Sequence, residues 1–217
     1  IEARLTPLSG SALEALGAGA IGTGYDFATG IETPVTHNKP RTTLTNGVVN
    51  PQVVFDGAND HTCAVDTPNP FLDFANGDQI TIAFQASVDP AAETTDMYIA
   101  GGNNSTVEIR RLNSTKALRV RFKDSGGTVI CQFETSMPFS SADGLQTYFM
   151  TVDFPNYLIT VQKGAVVDPF VYASIWSGTG FDFNMNSLSV GSLDTSVNKW
   201  NGTFASFYMT DEYVAPT

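Results

Sequence analysis

Arg119, Arg121 and Lys123 alternate along one short run with Leu118, Val120 and Phe122. On an extended strand, alternate side chains share a face. The run therefore predicts a strand with one apolar and one cationic face. Six of the chain's eleven Lys and Arg fall between Arg110 and Lys123, so the positive charge is clustered. Such a stripe suits an anionic partner, either an acidic glycan or a negatively charged neighbouring subunit. The same pattern also serves as a solvated outer face that discourages edge pairing. Trp176, in Ser174-Ile175-Trp176-Ser177-Gly178, reads as a loop aromatic beside Tyr172. Flat rings in such places stack on sugars, or plug the end of a sandwich.

Acid–base and nucleophilic chemistry find little in this sequence. Glycoside hydrolysis needs two carboxyl groups facing one bond. Glu93 and Asp96 are three apart in a loop-like stretch, and Asp211-Glu212 are adjacent near the end. Both pairs read as solvated surface acids. His37 and His61 are the only histidines, and no G-x-S-x-G elbow occurs. With Cys63 and Cys131 they give no zinc spacing. Gly17-Ala18-Gly19-Ala20-Ile21-Gly22 spells G-x-G-x-x-G, but a dinucleotide site needs a strand before it and a helix after it. Here a short helical signal precedes and Thr23-Gly24-Tyr25-Asp26 follows. No catalysis is expected.

The elements that would position these groups are almost all strands. The chain has 217 residues, 42% hydrophobic and 11% aromatic, enough for one large domain with a sizeable core. No run approaches about 18 consecutive apolar residues, so a membrane span is excluded. Formal net charge is −11, which disfavours a nucleic-acid partner. Short period-2 runs recur from Val53 onward: Ile80, Ile82 and Phe84; Leu118, Val120 and Phe122; Val129 to Phe133; Tyr148 to Val152; Tyr157 to Gln162; Leu188 to Gly191; and Thr203 to Thr210. Gly, Asn and Asp turns separate them, as in an antiparallel sandwich. Phe84, Val120, Phe122, Val152, Val190 and Phe204 are the expected core. Residues 1–50 differ. A capping box at Ser11-Ala12-Leu13-Glu14 predicts one short helix ending at Gly17. Pro34, Pro40 and Pro51 interrupt the rest, which reads as an arm, with a sandwich over 51–217. Cys63 and Cys131 read as buried small hydrophobes, with one long-range disulfide as the alternative.

Several of these segments, in this order, resemble LamG-like domains of the concanavalin A-like lectin/glucanase group. Phe55-Asp56-Gly57-Ala58-Asn59-Asp60 resembles the opening F-D-G-x-x-D. Ile80-Thr81-Ile82-Ala83-Phe84 is similar to the next core strand. Leu145 to Val152, the strand after it and Lys163-Gly164 resemble paired strands ending in a turn glycine. Leu188-Ser189-Val190-Gly191 and Trp200 to Tyr208 resemble the closing strands. The resemblance covers about residues 53–214 and implies an all-β jelly roll of two curved antiparallel sheets. It also implies calcium as the metal to consider, through Asp56 and Asp60, although Asp56-Gly57 is explained by turn chemistry as well. The E-x-D-x-E triplet of glucanases with this fold is missing.

A fold shared by lectins, glucanases and virion proteins does not set a function. The resemblance implies a non-enzymatic structural or adhesion module, such as a phage capsid decoration or a tail or fibre component. Its partners would be other copies of itself, neighbouring virion proteins or glycans, on a virion surface or outside a cell. An N-terminal arm, and a start without a visible leader, fit that role. A secreted or surface carbohydrate-binding lectin is the alternative, and a glycoside hydrolase the third reading.

Overall fold

The computed structural model describes residues 22–25, 41–45, 48–57, 62–65, 73–77, 79–102, 106–177, 181–184, 187–192 and 199–210. In chain order the strands are β1 Gly22–Tyr25, β2 Arg41–Thr45, β3 Val48–Asp56, β4 Thr62–Val65, β5 Asp73–Gly77 and β6 Gln79–Val88. β7 Met97–Gly102, β8 Val107–Arg111, β9 Leu118–Lys123 and β10 Val129–Glu134 follow. Next come β11 Gln146–Asp153, β12 Leu158–Lys163, β13 Val166–Val167 and β14 Tyr172–Trp176. β15 Phe181–Asn184, β16 Ser187–Val190 and β17 Asn201–Thr210 complete the series.

They build two antiparallel sheets. The first runs β13-β12-β11-β6-β17-β3-β2, with β1 also pairing β17. The second runs β14-β10-β9-β8-β7-β16-β4, and β15 pairs β5 separately. β7 to β10 meander within the second sheet and β11 to β13 within the first. The antiparallel sandwich expected from the period-2 runs is therefore the fold.

All six expected core residues are buried. On β9 the alternation is clean: Leu118, Val120 and Phe122 are buried while Arg119, Arg121 and Lys123 are half-exposed. β6 behaves differently. Ile80, Ile82 and Phe84 face inward, yet Thr81 and Ala83 are equally buried on the opposite face, as are Thr151 of β11 and Ser206 of β17. The middle of the first sheet is thus buried on both sides, and its outer face also carries Phe149 and Tyr208, the buried register partners of Ala83.

Three expectations change. Of the arm expected over 1–50, the described residues 22–25, 41–45 and 48–50 are strands of the first sheet. β1, β2 and the start of β3 pair within the first sheet, because Arg41-Thr42-Thr43-Leu44-Thr45 and Val48-Val49 carry enough β-branched residues to extend it. The helix expected at Ser11 lies outside the described residues. Second, Tyr172 and Trp176 sit on β14, the edge strand of the second sheet, and not on a loop. Third, the disulfide alternative does not hold, since Cys131 is free and buried. β10 and β4, which carry Cys131 and Cys63, are five strands apart, or about 24 Å at the usual strand spacing. A disulfide needs Cα atoms within about 7 Å.

Candidate functional site

The basic stripe lies on the outer face of the second sheet, where register decides its neighbours. Arg110, Arg119 and Glu134 fall in one cross-strand row, and Glu108, Arg121 and Gln132 in the next. Arg119 donates from Nε and Nη2 to Glu134 Oε1, at 2.9 and 2.7 Å. Arg121 donates from Nε to Gln132 Oε1 at 2.9 Å and from Nη1 to Glu108 Oε2 at 2.8 Å. Gln132 Nε2 passes the chain on to Ser174 on β14 at 3.0 Å. On the other flank the Arg110 guanidinium lies 5.8 Å from the Tyr98 ring centroid, and the Tyr98 hydroxyl donates to Glu108 Oε1 at 3.3 Å. Burial, reinforced by the Glu108 charge, raises the Tyr98 phenol above its ordinary range, so it remains a donor.

Two of the three stripe cations are therefore matched by carboxylates of the same sheet, in the opposite-charge cross-strand pairing that stabilises sheets. Lys123 has no ion-pair partner among the described residues. The face is less a bare positive field than a fixed lattice of donors and acceptors, with one unmatched ammonium at its end. The sequence signalled the cations. It did not signal Glu108, Gln132 and Glu134, because their pairing depends on strand order.

Trp176 stands opposite Cys131 on β14. It is half-buried against the core. Its ring centroid lies 5.5 Å from that of Phe154 and 5.5 Å from that of Tyr157. The end-plug reading describes the Phe154 side of this arrangement. Tyr157, which the sequence reading did not single out, forms the outer side at 60% exposure. Tyr172 lies opposite Glu134 on the same strand, so backbone register places it in the Arg119 row and not beside Trp176.

Among the described residues the acids show no hydrolytic arrangement. Glu93, expected to be a solvated surface acid, instead serves the fully buried Arg111. Arg111 donates to Glu93 through Nη2 and to the Phe139 carbonyl through Nε at 2.6 Å. Lys116 Nζ lies 3.1 Å from Glu93 Oε2, and the Ser141 N–H donates to Oε1. Burial works to raise the Glu93 carboxyl, but these donors outweigh it and bring it down to about 2. In Asp143 and Asp168 burial is likewise outweighed, by Lys163 and Ser140 in one and by Ser136, Phe170 and Met137 in the other. Asp153 is lowered first by Asn156. A general acid needs a carboxyl raised toward neutrality, and these four are all held ionised. Asp96 is 3.8 Å from Arg110 Nε. Asp211 and Glu212 lie outside the described residues.

Of the calcium pair, Asp56 is exposed at the end of β3, before Gly57 in the left-handed region (φ 77°), while Asp60 lies outside the described residues. No group of three or more His, Cys, Asp or Glu gathers among the described residues.

No family model matches the sequence, and no curated protein does. Solved structures do. A Ruminococcus gnavus IT-sialidase CBM40 bound to alpha2,6 sialyllactose is similar with a TM-score of 0.53 at 10% identity, covering 76% of this chain and 93% of that one. The binding domain of botulinum neurotoxin DC in complex with rat synaptotagmin II is similar with a TM-score of 0.59 at 11% identity, covering 84% of this chain and 44% of that one. A third, described by the dependence of botulinum neurotoxin type C cell entry on two ganglioside molecules, has a TM-score of 0.57 at 8% identity, covering 84% and 44%. The likeness is one of fold. This chain spans less than half the length of the neurotoxin chains.

Proposed function

We propose that this chain is a non-catalytic glycan-binding module that serves adhesion at a virion or other extracellular surface. The observation that carries the reading is the lattice on β8, β9 and β10. Sugar hydroxyls both donate and accept, so a sugar site needs planar donors and acceptors held in place before binding. Arg119, Arg121, Glu108, Gln132 and Glu134 are held by one another in that way. The unmatched Lys123 adds a preference for a carboxylated sugar. The sandwich shared with a CBM40 bound to sialyllactose and with a ganglioside-dependent neurotoxin supports the same reading.

The test is binding of the full chain to immobilised neutral and sialylated oligosaccharides. Arg121→Ser together with Lys123→Ser is expected to weaken binding of the sialylated set. Wild-type binding to that set should also fall as salt rises from roughly 0.05 to 0.5 M, because screening shortens the reach of exposed charge. No binding to either set overturns the reading.

One observation favours a second role, as a particle component packed against copies of itself. Val166, Val167 and Phe170 are exposed at and beside the edge strand β13, Phe170 at 75%. Exposed apolar side chains grouped on an edge mark contact surfaces. Light scattering that shows an oligomer converted to monomer by Phe170→Ser would support it, and a monomeric wild type would exclude it.

A further inference from the structure

A second feature capable of meeting a sugar lies at the end of the sandwich, where the β11–β12 hairpin meets β14. Asp153 pairs with Leu158, so the turn between the two strands is Phe154 to Tyr157. Asp153 fixes that turn. Its carboxylate accepts from the Asn156 backbone N–H at 3.1 Å, from Asn156 Nδ2 at 2.9 Å and from Gln79 Nε2 at 2.9 Å. Phe154 is buried and anchors the turn in the core, 6.1 Å from Phe122 between ring centroids.

Tyr157 then takes φ 53°, a left-handed conformation uncommon for a bulky aromatic residue. That backbone projects the ring outward next to Trp176, with the two planes tilted by 39°. Leu158, the next residue, is also exposed. A large ring in an unfavourable conformation, 60% exposed, contributes little to the core. Strain held by a fixed turn is a pattern associated with functional sites.

We propose that Tyr157 and Trp176 form a carbohydrate-stacking subsite that takes the apolar face of a β-galactoside. The inference rests on the glycan-binding reading and adds a place and a sugar class to it. The Tyr157 ring, 60% exposed and backed by Trp176, needs a stacking partner with its hydrogens gathered on one face. β-Galactosides meet this need. Their axial 4-hydroxyl leaves the opposite face carrying the C3, C4 and C5 hydrogens. α-Mannosides, with an axial 2-hydroxyl and an equatorial 4-hydroxyl, present no equivalent cluster. The subsite is separate from the Arg–Glu lattice, because Trp176 aligns with the inward-facing Cys131 and not with the outward row of Arg121.

The test uses the full chain and methyl β-D-galactopyranoside, with methyl α-D-mannopyranoside as the comparison. Trp200 is fully buried, so a sugar-induced change in tryptophan fluorescence reports Trp176. Tyr157→Asn removes the ring but suits the left-handed backbone, so folding is preserved. Tyr157→Phe keeps the ring. The galactoside should bind wild type and Tyr157→Phe alike, at least about tenfold more tightly than Tyr157→Asn, and more tightly than the mannoside. If oligosaccharides bind the wild type but Tyr157→Asn changes nothing, the subsite is overturned and the glycan-binding reading stands. If no glycoside binds the wild type, both fall.

Discussion

Glu93→Gln removes the counter-charge of a fully buried arginine while keeping the size of the side chain. In the wild type the Glu93 carboxyl titrates at about 2 instead of near 4.5. At about 1.4 kcal/mol per pH unit, that difference corresponds to at most about 3 kcal/mol of native-state stability, since Glu93 is partly exposed and solvent screens it. Breaking a buried pair by removing one partner costs about 3–5 kcal/mol, so the two routes agree. A gradient of denaturant at fixed pH, followed by the fluorescence of Trp200, measures the loss. Trp200 lies 5.6 Å from Phe139, whose carbonyl accepts from Arg111. The folded pKa is depressed, so the Glu93 contribution is complete above about pH 4.5 and is lost as pH falls toward 2. The variant lacks this titration. The stability gap should therefore be about 3 kcal/mol at pH 7 and shrink between pH 4.5 and 2. A gap below about 1 kcal/mol at pH 7, or one unchanged down to pH 2, would refute the account of Arg111 as a buried charge that depends on Glu93.

Further outcomes follow from packing and burial. Gly191→Ala places a Cβ 2.5 Å from the Phe55 ring at φ 84°, and should cost about 2–4 kcal/mol in chemical denaturation from overpacking plus left-handed strain. Gly202→Ala meets the Ser87 carbonyl oxygen at 2.0 Å. That atom is backbone and cannot rotate away, so β17 must part from β6 and the variant should lose cooperative unfolding. Phe84→Ala should cost about 3–5 kcal/mol by the same measurement, and a loss under about 1 kcal/mol would place Phe84 outside the core. The Cys131 thiol, pushed up to about 12 by burial, should resist iodoacetamide at pH 8 until the chain unfolds, as read by peptide mapping at that residue.

The sequence by itself determined the class of fold and most of its core. Period-2 runs such as Leu118 to Lys123 put apolar groups on one side wherever one face meets the core, and β9 obeys that rule. Turn chemistry also carried information that was underused. Asn46-Gly47 lies between the paired residues Thr45 and Val48, and this dipeptide is the strongest short-range hairpin signal. The prolines around it suggested an arm instead. β7 escaped notice because Met97 to Gly102 is buried throughout and does not alternate. The burial of Thr81 and Ala83 was invisible for a related reason, since coverage of a sheet's second face comes from elsewhere in the chain.

The candidate sites depended far more on tertiary structure. Arg119, Arg121 and Lys123 declared a shared face through spacing alone, because side-chain direction along a strand is a local property. Whether those charges were free or matched was decided by strand order, which brought Glu108 and Glu134 alongside from separate strands. Trp176 and Tyr157 are nineteen positions apart in sequence. They meet because the β11–β12 turn of the first sheet lies against β14, the edge strand of the second. Pairing over such separations is fixed by the packing of whole sheets, and no local pattern of residues encodes it.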